Sequence, residues 1–525
     1  MQLTDEQSDI RQTGSEAVKK GENLVVIAFA GAGKTTTLKK LAEAIPQRGC
    51  YLAFNKAIAD EAKRKLVRSR CTASTMHSLA FGTVRDITSS PASLNAKDFR
   101  DSGILGRVNI PRVRGWNDFR IASAVCRTLA AYCNSADAEI DIQHAEDAIM
   151  QATGDPDFIH VDEKAALARA AIAALAGPIA EMATLYWRDN IEAGRFSHDI
   201  YLKLLDLDAD LRADAFRGFK YLMVDEAQDI NPVQRSILMK SGLPLIAVGD
   251  PYQQIYSWRG AENALAQIEG EVRYLTQSFR FAEDIAEHAR AILATRPDGG
   301  PAQRLVGSGQ GIPKNYKGPR VAIICRTNIG MIDEALRILR SGKKVHVDSV
   351  EALVSDVRSA EALQCGQKER MTSPELKQFE SWEELAAEAE ESGGALARLV
   401  QIVEGNRVGQ VEALLRHQTK ADSADILICT AHRSKGLEFP GVLLGGDWKD
   451  IDVMRTRHKV AQRETAKHVT LAIEEWNALY VAATRPMVRL QGLGRIMSPA
   501  REMEMSEEGH MPSSFEPADR AGMPS

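Results

Sequence analysis

An α/β protein with two parallel-sheet lobes, each interrupted by a helical insertion, is the fold that the sequence predicts, and three observations carry it. Short apolar runs at Leu24–Phe29, Tyr221–Val224, Leu245–Val248, Val321–Cys325 and Val442–Leu444 end in polar residues. Runs this short read as strands buried on both faces, and helical patterns separate them, as doubly wound parallel sheets require. Strand signals fade between about 86 and 185, where EKAALARAAIAALAG is rich in strong helix formers. A second span, 349–420, has a helix start at Ser373-Pro374-Glu375 and a capping box from Ser381 to Glu384.

In chain order, 1–85 and 186–279 are expected to form the first lobe around the insertion 86–185. Residues 280–348 and 421–496 form the second lobe around the short insertion 349–420, and 497–525 is a Pro-, Ser- and Glu-rich tail without fixed structure. A composition of 44% apolar and 26% charged residues is that of a soluble globular chain and excludes a fibrous or collagen-like one. With 66 Lys+Arg against 71 Asp+Glu, nucleic-acid binding needs local basic patches. The apolar stretch Ala165–Trp187 is broken by Arg169, Pro178 and Glu181, so no membrane helix is expected. The opening MQLTDEQSDIRQ lacks the apolar region of a secretory signal, which points to a cytoplasmic, nucleoid-associated or nuclear protein. Seven scattered cysteines without a C-x-x-C pair are expected to be reduced and mostly buried.

The segment Ala28-Phe29-Ala30-Gly31-Ala32-Gly33-Lys34-Thr35 follows one expected strand and precedes a helical pattern, the setting that a phosphate-binding loop needs. It departs from the usual pattern only in having Ala28 at the first glycine position. Gly31 and Gly33 let the backbone from Ala30 through Ala32 to Thr36 close around phosphate oxygens of ATP. Lys34 supplies a cation to the β/γ-phosphates, and the Thr35 hydroxyl can ligate Mg²⁺. A second strand ends in Val224-Asp225-Glu226-Ala227-Gln228-Asp229, with its acids at a carboxyl strand edge. There Asp225 would hold Mg²⁺ through water, and Glu226 would take a proton from the attacking water.

Further segments stand in a set order: LTDEQ ending at Gln7, AFNKAIADEAKRKL from Ala53, TASTMHSLAF from Thr72, GDPYQQIYSWRGA from Gly249, LTQSFR ending at Arg280, CRTN from Cys325, TAHRSKGLEF from Thr430 and LYVAATR ending at Arg485. With the two acidic and glycine-rich segments, they resemble the UvrD/Rep-like branch of superfamily 1 DNA helicases, from residue 3 to residue 485. The AFNK and TAHRSKGLEF wording is closest to the F-box DNA helicase subgroup, although no F-box segment precedes Gln7.

The resemblance implies two RecA-like P-loop NTPase lobes and an ATP- and Mg²⁺-dependent helicase. Such an enzyme translocates 3′-to-5′ on single-stranded DNA and acts at single/double-strand junctions. It also implies that Gln7 reads adenine through its amide, that Phe279 stacks on the base and that Glu438 accepts from the ribose. Gln254 resembles the γ-phosphate sensor, Arg280 reaches the same phosphate, and Arg485 resembles an arginine finger from the second lobe.

On the DNA side, Trp258 between Tyr256 and Arg259 offers a stacking platform with a cation beside it. Phe54 and Asn55 follow a strand, and His77 is read in a short polar loop; both places resemble strand-contacting motifs. Arg326 and Asn328 resemble backbone clamps of the second lobe, and His432 belongs to a motif that touches both ATP and strand in the family. The cluster Lys63, Arg64, Lys65, Arg68 and Arg70 reads as a solvated helix face, and Asp447, Asp450 and Asp452 as a solvated loop and not a nuclease centre. The brevity of 349–420 predicts a motor that works as a monomer. The competing readings are a translocase that strips proteins without robust unwinding, and an ATP-controlled nucleic-acid-binding module of a larger complex.

Overall fold

The computed structural model describes residues 3–497 except 89, 92–93, 153–161, 257–262, 299–303, 315, 340, 374–375, 380, 393 and 463–465. Trp258, Arg259, the Pro374-Glu375 helix start and all of the expected tail but Met497 therefore lie outside the described residues.

Six strands form the first sheet: β1 (Leu24–Ala28), β2 (Gly49–Ala53), β3 (Cys71–Thr75), β4 (Tyr221–Val224), β5 (Leu245–Gly249) and β6 (Glu271–Leu275). They pair in the order β3-β2-β4-β5-β1-β6, and every pairing is parallel. Five form the second: β7 (Val321–Cys325), β8 (Val345–Val347), β9 (Ile426–Thr430), β10 (Phe439–Leu444) and β11 (Pro486–Gln491), paired in parallel as β8-β9-β7-β10-β11. This is the two-lobed α/β architecture that the apolar runs predict.

Side chains alternate across each sheet, so each feeds two cores. In the first, Val25, Leu52, Val224 and Ala247 face a core that continues into the helices Asp118–Asn134 and Asp162–Glu192 through Ile121, Leu129, Leu175 and Met182. Val26, Tyr51, Met223 and Val248 face the opposite side with Leu38 and Leu41 of the helix Lys34–Ala44. The chain leaves for this helical region and returns beside itself, Ser90–Pro91 pairing with Arg195–Phe196. By length and composition Arg169–Glu192 is apolar enough to cross a membrane, yet Leu175, Ile179, Met182 and Tyr186 are buried in the first lobe's core. Its character is that of a core helix.

In the second sheet, Ile323, Val345 and Ile428 pack against the helices Val350–Gln364, Gly394–Glu404 and Val408–Arg416. Ala322, Ile324, Cys429 and Val442 face another cluster, which holds Trp476 and Tyr480 of the helix Ala466–Ala483 and also takes in Phe29, Ala30, Tyr252 and Ile255 of the first lobe. The two lobes thus share one apolar cluster directly behind the phosphate loop. All seven cysteines are unpaired; six are buried and Cys365 is exposed.

Candidate ATP site and strand track

The glycine-rich loop depends on two positive φ angles, 72° at Gly31 and 77° at Gly33, which only glycine adopts without strain. A Cβ at Gly31 would lie 2.5 Å from Ser278 Oγ, and one at Gly33 would lie 3.0 Å from Gln7 Nε2 and 3.6 Å from the Phe279 ring. Gln7 and Phe279 therefore flank Gly33. Gln7 is held there by a capping box, Thr4 N–H donating to its Oε1 at 3.2 Å. The helix Lys34–Ala44 begins at once, with Lys34, Thr35 and Thr36 in its first turn, where amides lack acceptors within the helix.

Opposite the loop, Lys34 Nζ sits 2.9 Å from Glu226 Oε1 and 3.0 Å from Oε2, and Gln228 Nε2 donates to Oε2 at 2.6 Å. Burial would raise the Glu226 pKa, but Lys34 and Lys435 together with Gln228 hold it down to about 2. Burial also works against the Lys34 charge, and Glu226, Asp225 and Asp250 more than offset it, so its pKa stands above the ordinary lysine value. Glu226 has φ 55°, a left-handed conformation costing a non-glycine residue about 1–3 kcal/mol and typical of functional sites. Asp225 accepts from Tyr51 Oη at 2.5 Å and from the Glu226 amide at 3.0 Å; burial, then the Glu226 charge, raise its pKa.

Thr35 and Asp225 fit a magnesium ion that takes few protein oxygens and completes its shell with phosphate and water. No group of three acidic, His or Cys side chains suited to a metal occurs among the described residues, in keeping with so sparse a donor set. When bound, the ion would neutralise phosphate charge.

Gln254, which the resemblance gives as the γ-phosphate sensor, is not the glutamine that joins Asp250 to Arg485. Gln253, not Gln254, faces the site: its Nε2 donates to Asp250 Oδ2 at 2.6 Å, and its Oε1 accepts from Arg485 Nη2 at 3.0 Å. The 3₁₀ turn Pro251–Gln253 brings the third residue after Asp250 back over it, and the next residue, in extended conformation, turns away. Gln254 instead lines a cavity with Arg296 and Asn477. Counting three from Asp250 would have separated the two glutamines.

Several contacts reach the site from the second lobe. Arg485, 1% exposed, also donates to the Val481 carbonyl at 2.9 Å. Burial, then the neighbouring Arg280, lower its pKa to about 9, so it stays cationic at neutral pH. Tyr480 Oη donates to Asp250 Oδ2 at 3.2 Å and accepts from the Ala30 amide at 3.4 Å. Arg280 donates to Glu438 Oε1 at 2.9 Å and to the Thr484 carbonyl at 3.0 Å, placing these two residues as an ion pair. Lys435, which the sequence reading passed over although it lies in TAHRSKGLEF, bonds the Asp229 carboxylate and, at 2.7 Å, the Gln253 carbonyl. Burial pushes the Asp229 carboxyl up to about 6 despite that lysine.

Lys435 also lies 5.2 Å from the centre of the Tyr256 ring. Tyr256 stacks on Phe54 at 5.7 Å and 19°, and meets His432 at 6.0 Å, so an aromatic line crosses from one lobe to the other. Burial, then Arg326, lower the His432 pKa to about 4. His77 stands apart from this line, in the first turn of the helix Met76–Val84 and not in a polar loop, because Thr75 caps that helix. Its ring contacts are His198 and Tyr201, and burial and His198 lower its pKa to about 4. Asn55 caps the helix Lys56–Lys65. Arg326 makes a two-bond pair with Glu475 at 2.9 and 2.7 Å. Thr327 caps the next helix, and Asn328 lies exposed in its first turn.

Lys63 and Lys65 pair with Asp60 and Glu61 on a helix face. Asp447 accepts from the Arg326 and Thr327 amides, Asp450 caps the helix Ile451–Ala461 and Asp452 pairs with Arg455, so each acid serves local structure.

Residues 10–269 match the UvrD/REP helicase N-terminal domain, and residues 193–491 match the UvrD-like helicase C-terminal domain. The chain belongs to the UvrD-like helicase family. Among similar proteins, F-box DNA helicase 1 of Gallus gallus is 29% identical over 516 residues, covering 92% of this chain and 48% of that protein. F-box DNA helicase protein 1 of Schizosaccharomyces pombe is 27% identical, covering 93% of this chain and 57% of its own length. DNA helicase IV of Escherichia coli is 24% identical over 56% of this chain and 48% of its own length. This family member thus spans about half the length of the curated relatives that it matches.

Proposed function

We propose that this chain is an ATP- and Mg²⁺-dependent DNA helicase that moves along single-stranded DNA and unwinds duplex. The observation that carries the reading is the joining of Lys34, Glu226, Gln253 and Arg485, from both lobes, around one phosphate loop, with an aromatic line beside it. Hydrolysis in such a site depends on how the lobes meet, and a strand lying across Phe54, Tyr256 and His432 would bear on that meeting. Lys435 touches both systems: its ammonium binds the catalytic loop at Asp229 and the sensor loop at Gln253, and it faces the Tyr256 ring.

Lys34→Ala removes the loop's cation and is expected to abolish single-strand-stimulated ATP turnover, measured by phosphate release. A Lys34→Ala protein with wild-type turnover would overturn the reading. Tyr256→Ala removes a stacking surface and is expected to weaken single-strand binding by about 1–3 kcal/mol in fluorescence anisotropy while the protein stays folded. Unchanged affinity would take Tyr256 off the track.

The family resemblance gives 3′-to-5′ polarity, tested with duplexes tailed at one end or the other; unwinding of 5′-tailed duplexes alone reverses it. The region from Val350 to Arg416 is small, with little surface for holding a second protomer or restraining the motor. We therefore expect a monomer to unwind, at a rate linear in protein below saturation.

A further inference from the structure

Two consecutive carbonyls of the sensor loop are held by side chains of the second lobe. Lys435 donates to the Gln253 carbonyl at 2.7 Å, and Asn477 Nδ2 donates to the Gln254 carbonyl at 2.8 Å. The Asn477 amide is itself oriented: its Oδ1 accepts from Arg296 Nη1 at 2.6 Å. An arginine only donates and a carbonyl only accepts, so a single orientation of the amide satisfies both contacts. Arg296 is in turn fixed by Asp298 at 2.9 and 2.6 Å, and its guanidinium carbon lies 5.0 Å from the centre of the Tyr252 ring. Asn477 and Arg296 are 4% and 9% exposed, so water competes little for these bonds.

Tyr252 and Ile255 anchor the loop in the apolar cluster shared by the lobes. A polar cavity of about 210 Å³, lined by Gln254, Asn263, Arg296, Glu474 and Asn477, lies on the other side of it. Beside a polar cavity, the directed bonds to the loop's two carbonyls set its register. One residue earlier, the same loop carries Gln253 between Asp250 and Arg485.

We propose that Asn477, oriented by Arg296, is a positioning residue that sets the register of the sensor loop from the second lobe. It holds Gln253 where Arg485 meets it. The contact makes that alignment depend on the placing of the helix Ala466–Ala483, which carries Asn477 and Tyr480 and leads into Arg485. This inference rests on the ATPase reading above and assigns to it a residue outside the nucleotide's own contacts.

Asn477→Asp is the informative substitution. It keeps the shape and strengthens the Arg296 contact, but places a carboxylate oxygen where the Gln254 carbonyl needs a donor. Single-strand-stimulated kcat for ATP hydrolysis is expected to fall on the order of 10–100-fold, the scale of a misplaced catalytic group, with KM for ATP within about twofold of wild type. Wild-type kcat in Asn477→Asp, or a fall in kcat matched by an equal loss of folded protein in circular dichroism, overturns the proposal. Arg296→Gln, which leaves Asn477 in place but frees its amide to turn, is expected to show the same kcat-only loss in weaker form; unchanged kcat there overturns it as well. The wild-type protein is assayed in parallel: if it turns over no ATP, the ATPase reading fails instead, and if its ATPase ignores single strands, the helicase reading does.

Discussion

Glu226→Gln is expected to bind ATP and scarcely hydrolyse it. The substitution keeps the length of the side chain and suits the left-handed backbone, φ 55°, no less than glutamate does. What it removes is charge and basicity. In the structure Glu226 accepts from both Lys34 and Gln228, whereas a glutamine has one carbonyl oxygen to offer and must turn its amino group toward one of two donors. Lys34 is thereby released toward phosphate oxygens, so nucleotide affinity should hold or rise. Turnover loses its proton acceptor and should fall by about 10²–10⁴-fold. Fluorescent-nucleotide titration and single-turnover hydrolysis measure the two halves separately. Substantial hydrolysis by Glu226→Gln would take the base role away from this residue.

Arg485→Ala should cost still more, about 10³–10⁵-fold in strand-stimulated kcat, the range for loss of an arginine finger. The guanidinium is the second-lobe cation on the Gln253 side chain, and at a pKa of about 9 it is charged throughout the neutral range. Truncation to alanine also removes the bonds from Nε to the Val481 carbonyl at 2.9 Å and from Nη2 to Gln253 Oε1 at 3.0 Å, and leaves a void where a buried side chain stood, so some stability should go with it. Arg485→Lys separates the two effects. It retains a charge but cannot span several acceptors in one plane, and it is expected to recover folding without recovering kcat. If Arg485→Lys restores turnover in step with melting temperature, the residue is structural and the finger lies elsewhere.

The fold was legible because buried parallel strands leave a coarse mark: runs such as Tyr221–Val224 are apolar throughout, since both sheet faces are covered. The phosphate loop was legible for a related reason, its glycines being demanded by backbone geometry at fixed spacing. Legibility ended where side-chain direction decided the matter. Gln253 and Gln254 are chemically identical neighbours, and a single 3₁₀ turn sends one to Arg485 and the other to a cavity. The pairing of Arg326 with Glu475, 149 residues away in sequence, was equally hidden. Lys435 went unnoticed because its partners, Asp229 and Gln253, lie about 200 residues upstream in another lobe. Long-range pairings of this kind carry no local periodicity to read.

The apolar cluster that the lobes hold in common limits how far they can swing apart. Tyr252 of the first lobe, itself stacked on Phe29 at 5.8 Å, meets Tyr480 of the second edge-on at 6.1 Å, so a wide gape would wet an aromatic face on each lobe. At about 25 cal/mol per Å² of apolar surface, each 100 Å² of such wetting costs on the order of 2.5 kcal/mol. Small rotations that slide these rings over one another expose almost nothing. The seam therefore favours a shallow, oil-lubricated rocking over a clamshell opening, and it makes the two halves poor candidates for separate expression, since each would carry a bare aromatic face into water.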